Sequence, residues 1–180
     1  MKPYVLCLIL VGVTGTAAQV THLKQQKEGS LMTYKLVHPL HHVEATSKEV
    51  VYDVQADATK KEIRSVSGWV DVTTFDSGNS NRDSHAMEVI DAISYPEAKF
   101  ESADVLQRGD SLIVKGKLTF HGVTKDVLAL CKASWSEGKL EVDGGFDVSL
   151  TAFNIDRPSL LMIPVEDRLS FSLVALFVLN

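Results

Sequence analysis

The chain has 180 residues, with 18 basic and 23 acidic side chains and a formal net charge of −5. That balance lacks the basic excess a phosphate backbone demands, so a nucleic-acid partner is not expected. It argues, with less force, against docking on anionic lipid headgroups.

The first eighteen residues read as a secretory signal peptide. Lys2 supplies the positive start, Tyr4 to Val13 is an almost unbroken apolar run, and Thr14-Gly15-Thr16-Ala17-Ala18 is small, which predicts cleavage after Ala18. The run is too short to span a bilayer, which takes about 20 helical residues. Cys7 is not read as a lipid anchor, because bulky Leu6 stands before it where a small residue is needed. The expectation is a periplasmic or secreted single domain over 19–180, with no transmembrane segment. With the leader removed, 17 basic and 23 acidic side chains remain, net −6. Cys131 is then the one cysteine left, so no internal disulfide can form, and it reads as a small buried hydrophobe.

From residue 19 onward the pattern is one of β-like runs separated by turn signals. Eight strands are predicted at 31–37, 48–56, 63–74, 98–106, 111–120, 124–135, 139–151 and 168–178. The clearest alternate with a period of two: Leu112-Val114-Gly116-Leu118-Phe120, and Leu140-Val142-Gly144-Phe146-Val148-Leu150. Arg108-Gly109-Asp110 and Glu137-Gly138-Lys139 predict hairpin turns. Gly68, Gly116, Gly144 and Gly145, inside strands, mark sites of sharp coiling or a bulge. Ser80 to Ala92 does not alternate; Asn79, Ser80 and Asn81 offer N-cap side chains and Pro96 limits extension, so one short helix is expected there.

Eight antiparallel strands can close into a barrel, which removes exposed edges and leaves room for one small ligand. Val127–Cys131 and Val174–Val178 are apolar on both faces. A dry lumen would take one face, and a covering element or a homodimer partner the other. A filled two-sheet sandwich accounts for the same runs, so periodicity leaves both architectures open.

Three clusters raise the question of chemistry. His38-Pro39-Leu40-His41-His42 places three imidazoles within five residues. Its spacing matches no compact zinc motif, so a solvated loop after the first strand is the expectation. A metal- or redox-linked stress protein using His38, His41 and His42 is the alternative function. In Arg82-Asp83-Ser84-His85, Asp83 and His85 could form an acid–base pair with Arg82 as an anion clamp. An acid in the first helical turn also complements the helix dipole, and that structural role is favoured. Ser84 has no adjacent base at nucleophile spacing. His121-Gly122 reads as turn chemistry first and as a contact for a ligand head second.

The stretch Thr74–Ser102, TFDSGNSNRDSHAMEVIDAISYPEAKFES, is followed sixteen residues on by LTFHGVTK, Leu118–Lys125. Together these resemble the signature of the YceI-like family of polyisoprenoid-binding proteins. Asp76, Gly78, Arg82, Asp83, His85, Tyr95, Pro96, Phe100, Ser102 and His121 to Lys125 sit where that pattern wants them. The resemblance implies an all-β, eight-stranded, antiparallel, lipocalin-like barrel with one short helix. It also implies a binding protein rather than an enzyme, with a long isoprenoid lipid or isoprenoid quinone as ligand and no covalent cofactor. The expected lumen residues are Trp69, Phe100, Leu112, Val114, Gly116, Leu118, Phe120, Phe146 and Phe171. A barrel filled by its own side chains, acting as an interaction module, is a further alternative. The chain departs from the familiar pattern at Met87-Glu88-Val89-Ile90-Asp91-Ala92, where the family carries aromatics, and at Leu150–Ile155.

Overall fold

Period-two alternation becomes strand almost throughout residues 19–179, the span described by the computed structural model; the expected signal peptide, 1–18, lies outside the described residues. The elements are β1 (Thr21–His38), β2 (His41–Ser47), β3 (Val51–Asp57), β4 (Glu62–Asp71), α1 (Ser80–Val89), β5 (Glu97–Arg108) and β6 (Ser111–Phe120). They continue with β7 (Val123–Ser136), β8 (Lys139–Ser149), β9 (Ser159–Leu160), β10 (Ile163–Pro164) and β11 (Arg168–Val178). Strands β1, β3, β4, β5, β6, β7, β8 and β11 pair in that order, all antiparallel, and β11 pairs back onto β1. The sheet is therefore a closed eight-stranded barrel, not a sandwich.

Strand β1 is longer than its apolar pattern suggests. Its polar first half, Thr21 to Gln26, pairs with both β3 and β11, and a register break follows between Gln26 and Leu31. Gly29 turns there with φ +87°, while Ser30 Oγ donates to Gln26 O and accepts from Leu176 N. The second half pairs with β2 as a hairpin, His38 opposite His41. The histidine segment is thus strand and tight turn rather than a solvated loop. His41 and His42 are exposed, whereas His38 is only 4% exposed. His38 Nε2 donates to Ile163 O (2.9 Å) and Nδ1 accepts from Leu40 N (3.1 Å), so both ring nitrogens are committed to holding backbone.

The glycines inside strands work by close approach. Gly116 lies opposite a bulge in β5, where Ser102 and Ala103 intervene between paired Glu101 and Asp104. Ser102 Oγ ties that bulge by donating to Lys115 O and accepting from Asp104 N. At Gly144 and Gly145 the register runs unbroken, and a Cβ would strike the neighbouring backbones at Leu130 and Phe171. The predicted turns at Gly109 and Gly138 carry positive φ in two-residue connections.

The core is built at both ends of the barrel. One end is plugged by Leu23, Ala56, Ile63, Ala133, Leu140 and Phe177, none more than 7% exposed. At the other end Phe153, Ile155 and Val165, from the segment between β8 and β11, pack on Leu118, Phe120 and Leu169. Tyr34, Ala98, Phe100 and Phe146 touch both clusters. Outward Leu128 and Leu130 stay 47% and 59% exposed, with no covering element among the described residues.

Candidate functional site

Between the two end clusters lies a cavity of about 380 Å³ with an almost wholly apolar lining. That falls in the range of small-ligand sites, roughly 300–1,000 Å³. Inward alternation supplies its walls: Met32, Tyr34 and Leu36 from β1, Leu112, Val114, Leu118 and Phe120 from β6, and Leu169, Phe171, Leu173 and Ala175 from β11. Phe146 and Phe171 pair across β8 and β11 and stack, ring centres 4.9 Å apart. The mouth is framed by three pieces: α1, the β1–β2 turn with His38 and His41, and Pro158 to Leu160 ahead of the β9–β10 turn.

Helix α1 contributes a stripe at helical spacing, Arg82, His85, Ala86, Val89 and Ile90, with Met87 beside it. None of its residues is fully buried; Met87, Val89 and Ile90 pack part of their surface on the core cluster at that end and also border the cavity. Its position comes from the loop before it. Asn79 caps the helix by accepting from Arg82 N. The Asp83 carboxylate accepts from the Ser77 amide and hydroxyl, and the Arg82 guanidinium donates to Ser77 Oγ (2.9 Å) and Ser77 O (2.8 Å). Arg82 and Asp83 therefore lock the lid's hinge. His85 lies beside Glu88 instead, 3.7 Å away, so no Asp83–His85 pair is formed.

The polar groups inside are few and held neutral. Tyr52 donates its hydroxyl to Leu31 O, and burial pushes its phenol far above the usual range. Burial also raises Tyr34, helped by the charge of Asp83. Cys131, half-buried on the lining, has its thiol pushed up to about 11 by burial.

Of the nine sequence-predicted lumen residues, Phe100, Leu112, Val114, Leu118, Phe120, Phe146 and Phe171 line the cavity. Trp69 borders it but is 42% exposed, because it alternates with buried Val70 on β4. Gly116 does not line it. The ring of Phe100 covers Gly116, and a Cβ there would collide with that ring and with Glu101 O. Gly116 thus makes room for a neighbour, not for a ligand. The alternation of Met32, Tyr34 and Leu36 inside the predicted first strand already signalled their inward face; the lid stripe carried only its helical spacing.

His121 and Gly122 close the β6–β7 hairpin with positive φ at both positions, 49° and 69°, a type I′ turn. His121 Nδ1 donates to Phe153 O, and its ring lies 4.6 Å from that of Tyr95. A Cβ on Gly122 would meet the Tyr95 ring at 2.6 Å. The Tyr95-Pro96 and His121-Gly122 elements are one packed corner outside the cavity.

Residues 21–175 match the family model described as YceI-like domain. The chain belongs to the YceI-like family. A UPF0312 protein of Pseudomonas putida is 32% identical over 144 residues, 74% of each chain. A UPF0312 protein of Vibrio parahaemolyticus is 46% identical over 61 residues, so the match spans about a third of each chain, 32%. With a Photorhabdus laumondii relative it spans about half, 51% of that protein. Among solved structures, BcnA of Burkholderia cenocepacia superposes with a TM-score of 0.77 at 22% identity, covering 85% of this chain and 99% of that one. A polyisoprenoid binding domain from Saccharophagus degradans gives 0.65 at 10% identity, covering 90% and 100%. These likenesses establish the YceI-like barrel as the fold.

Proposed function

We propose that this YceI-like protein is an exported carrier that holds a long isoprenoid lipid, a polyprenyl or quinone tail, in the barrel lumen. The observation that carries this reading is the apolar cavity, floored at one end and lidded by an unburied helix at the other. The polyisoprenoid-binding domain among its structural relatives supports the ligand class. Binding is by burial: each sequestered methylene contributes roughly 0.8 kcal/mol, so part of a prenyl chain suffices for useful affinity. Arg82, His85 and His41 at the mouth are the polar groups a ligand head would meet.

The metal-linked alternative is poorly supported, since His38 spends both nitrogens on backbone. Among the described residues no three His, Cys, Asp or Glu side chains are grouped to hold a metal ion. Mass spectrometry of an organic extract of the exported protein tests the reading. A stoichiometric polyprenyl species is expected; bound metal without lipid would overturn it. The same sample should begin at Gln19, as cleavage after Ala18 requires, and retention of Met1 would defeat the export assignment.

A further inference from the structure

We propose that the β9–β10 hairpin docks the barrel on an electrically neutral phospholipid bilayer, with Leu161 and Met162 inserted among the acyl chains. The inference rests on the lumen reading and adds where the ligand is collected.

Leu160 pairs with Ile163, leaving Leu161 and Met162 as the two turn residues, with φ of 52° and 66°. Positive φ at both positions defines a type I′ turn, which favours Asn-Gly and disfavours bulky side chains. The chain places two large apolar residues there at a conformational cost and leaves them 76% and 94% exposed. Leu160 and Ile163 at the base are 46% and 40% exposed. Folding alone gains little from this arrangement.

The hairpin is fixed in place. Val165 N donates to Pro158 O, Glu166 N donates to Val37 O, and the Arg157 guanidinium donates to Val165 O. His38 bonds Ile163 O through one nitrogen and the β1–β2 turn through the other, and that turn raises Leu40, 60% exposed, on the same rim. The mouth therefore carries two apolar projections tied together by one imidazole.

Continuity with the lumen identifies the occupant. Pro158, Ser159 and Leu160 line the cavity, so apolar surface runs from the exposed tip into the chamber. An isoprenoid leaving a bilayer along it would avoid open water. A second copy fits less well, because so small a tip cannot bury the roughly 1,200 Å² of a stable interface. The net charge of −6 over residues 19–180 favours a neutral surface over an anionic one.

The test uses the purified chain, freed of lipid, with phosphatidylcholine vesicles carrying a long polyprenol, and in parallel geranylgeraniol in dilute detergent. The paired change Leu161→Asn with Met162→Gly suits the turn, so the variant should melt at or above the wild-type temperature. Leu40→Ser gives a second, independent variant. Wild type should float with the vesicles and load from them; the paired variant should partition about a hundredfold less, from two lost apolar insertions, yet take up geranylgeraniol normally. Equal flotation and equal vesicle loading by all three proteins would overturn the docking inference and leave the lumen reading intact. Loss of geranylgeraniol uptake in the paired variant would overturn it too, by making the tip part of the lumen. Self-association abolished by the substitutions would assign the tip to a second copy instead. Failure of wild type to bind either isoprenoid would sink the lumen reading itself.

Discussion

Gly116 shows how narrow the tolerance of a barrel wall can be. Any side chain there meets the Phe100 ring and the Glu101 carbonyl, opposite a bulge that already strains the ladder. Gly116→Leu should therefore destabilise the lipid-free protein by at least the roughly 1–3 kcal/mol typical of overpacking, measured by urea unfolding. Phe100→Leu in the same chain should restore only part, since the carbonyl remains. Cys131 makes a second prediction. With its thiol raised to about 11 by burial, little thiolate exists at neutral pH, and alkylation should be far slower than in denatured protein. Loading with lipid should slow it further if the lumen is the site, because Cys131 lies on the lining. Asp167 supplies the pH dependence. Hydrogen bonds from Ser149 Oγ first, then from the Thr151 amide, hold its carboxyl below the usual range. A lowered folded-state value stabilises above the unfolded carboxyl pKa and is lost as pH falls through the folded value. Asp167→Asn should flatten the acid limb of a stability–pH curve while changing little at high pH beyond the lost bonds.

At the scale of elements, the lid is held by its hinge as well as by the packing of Met87, Val89 and Ile90 on the core. Asp83→Ala removes the acceptor that fixes Ser77, and hydrogen bonds to a charged group are worth about 1.5–3 kcal/mol. The expected result is faster amide exchange across residues 77–90 and faster ligand release, with the barrel strands unchanged; unaltered exchange there would show that the hinge bonds do not govern the lid. Strands with clear alternation, such as 111–120 and 139–151, were legible from sequence because one buried face imposes the period. The first half of β1 was not: from Thr21 to Gln26 only Leu23 is apolar, too little to show a period, and pairing with β3 and β11 makes it strand. The short β2 was hidden for a related reason. His41 and His42 carry no apolar signal, and the turn before them depends on His38 bonding a segment 125 residues away. Leu112, Val114, Leu118, Phe120 and Phe146 stood in alternating runs, whereas Gly116 failed because a gap in sequence pattern does not reveal which neighbour fills it.

At the scale of the molecule, the ring closes where the last strand meets the first, Lys24 beside Val178 and Leu36 beside Leu169. Every shorter N-terminal piece of the chain must leave two open edges, ready to pair with another chain. Closure is also the most non-local event available, so folding should be slow for a domain of this size and governed by the time the ends take to meet. The same seam brings the two ends of the described residues, 19 and 179, to one side of the barrel. A circular permutant that joins them by a short flexible linker and opens the chain at the exposed Gly138 turn should reach the same barrel. Its rate should stay similar, because the permutant makes the β1–β11 pairing local but moves the closing seam to β7 against β8.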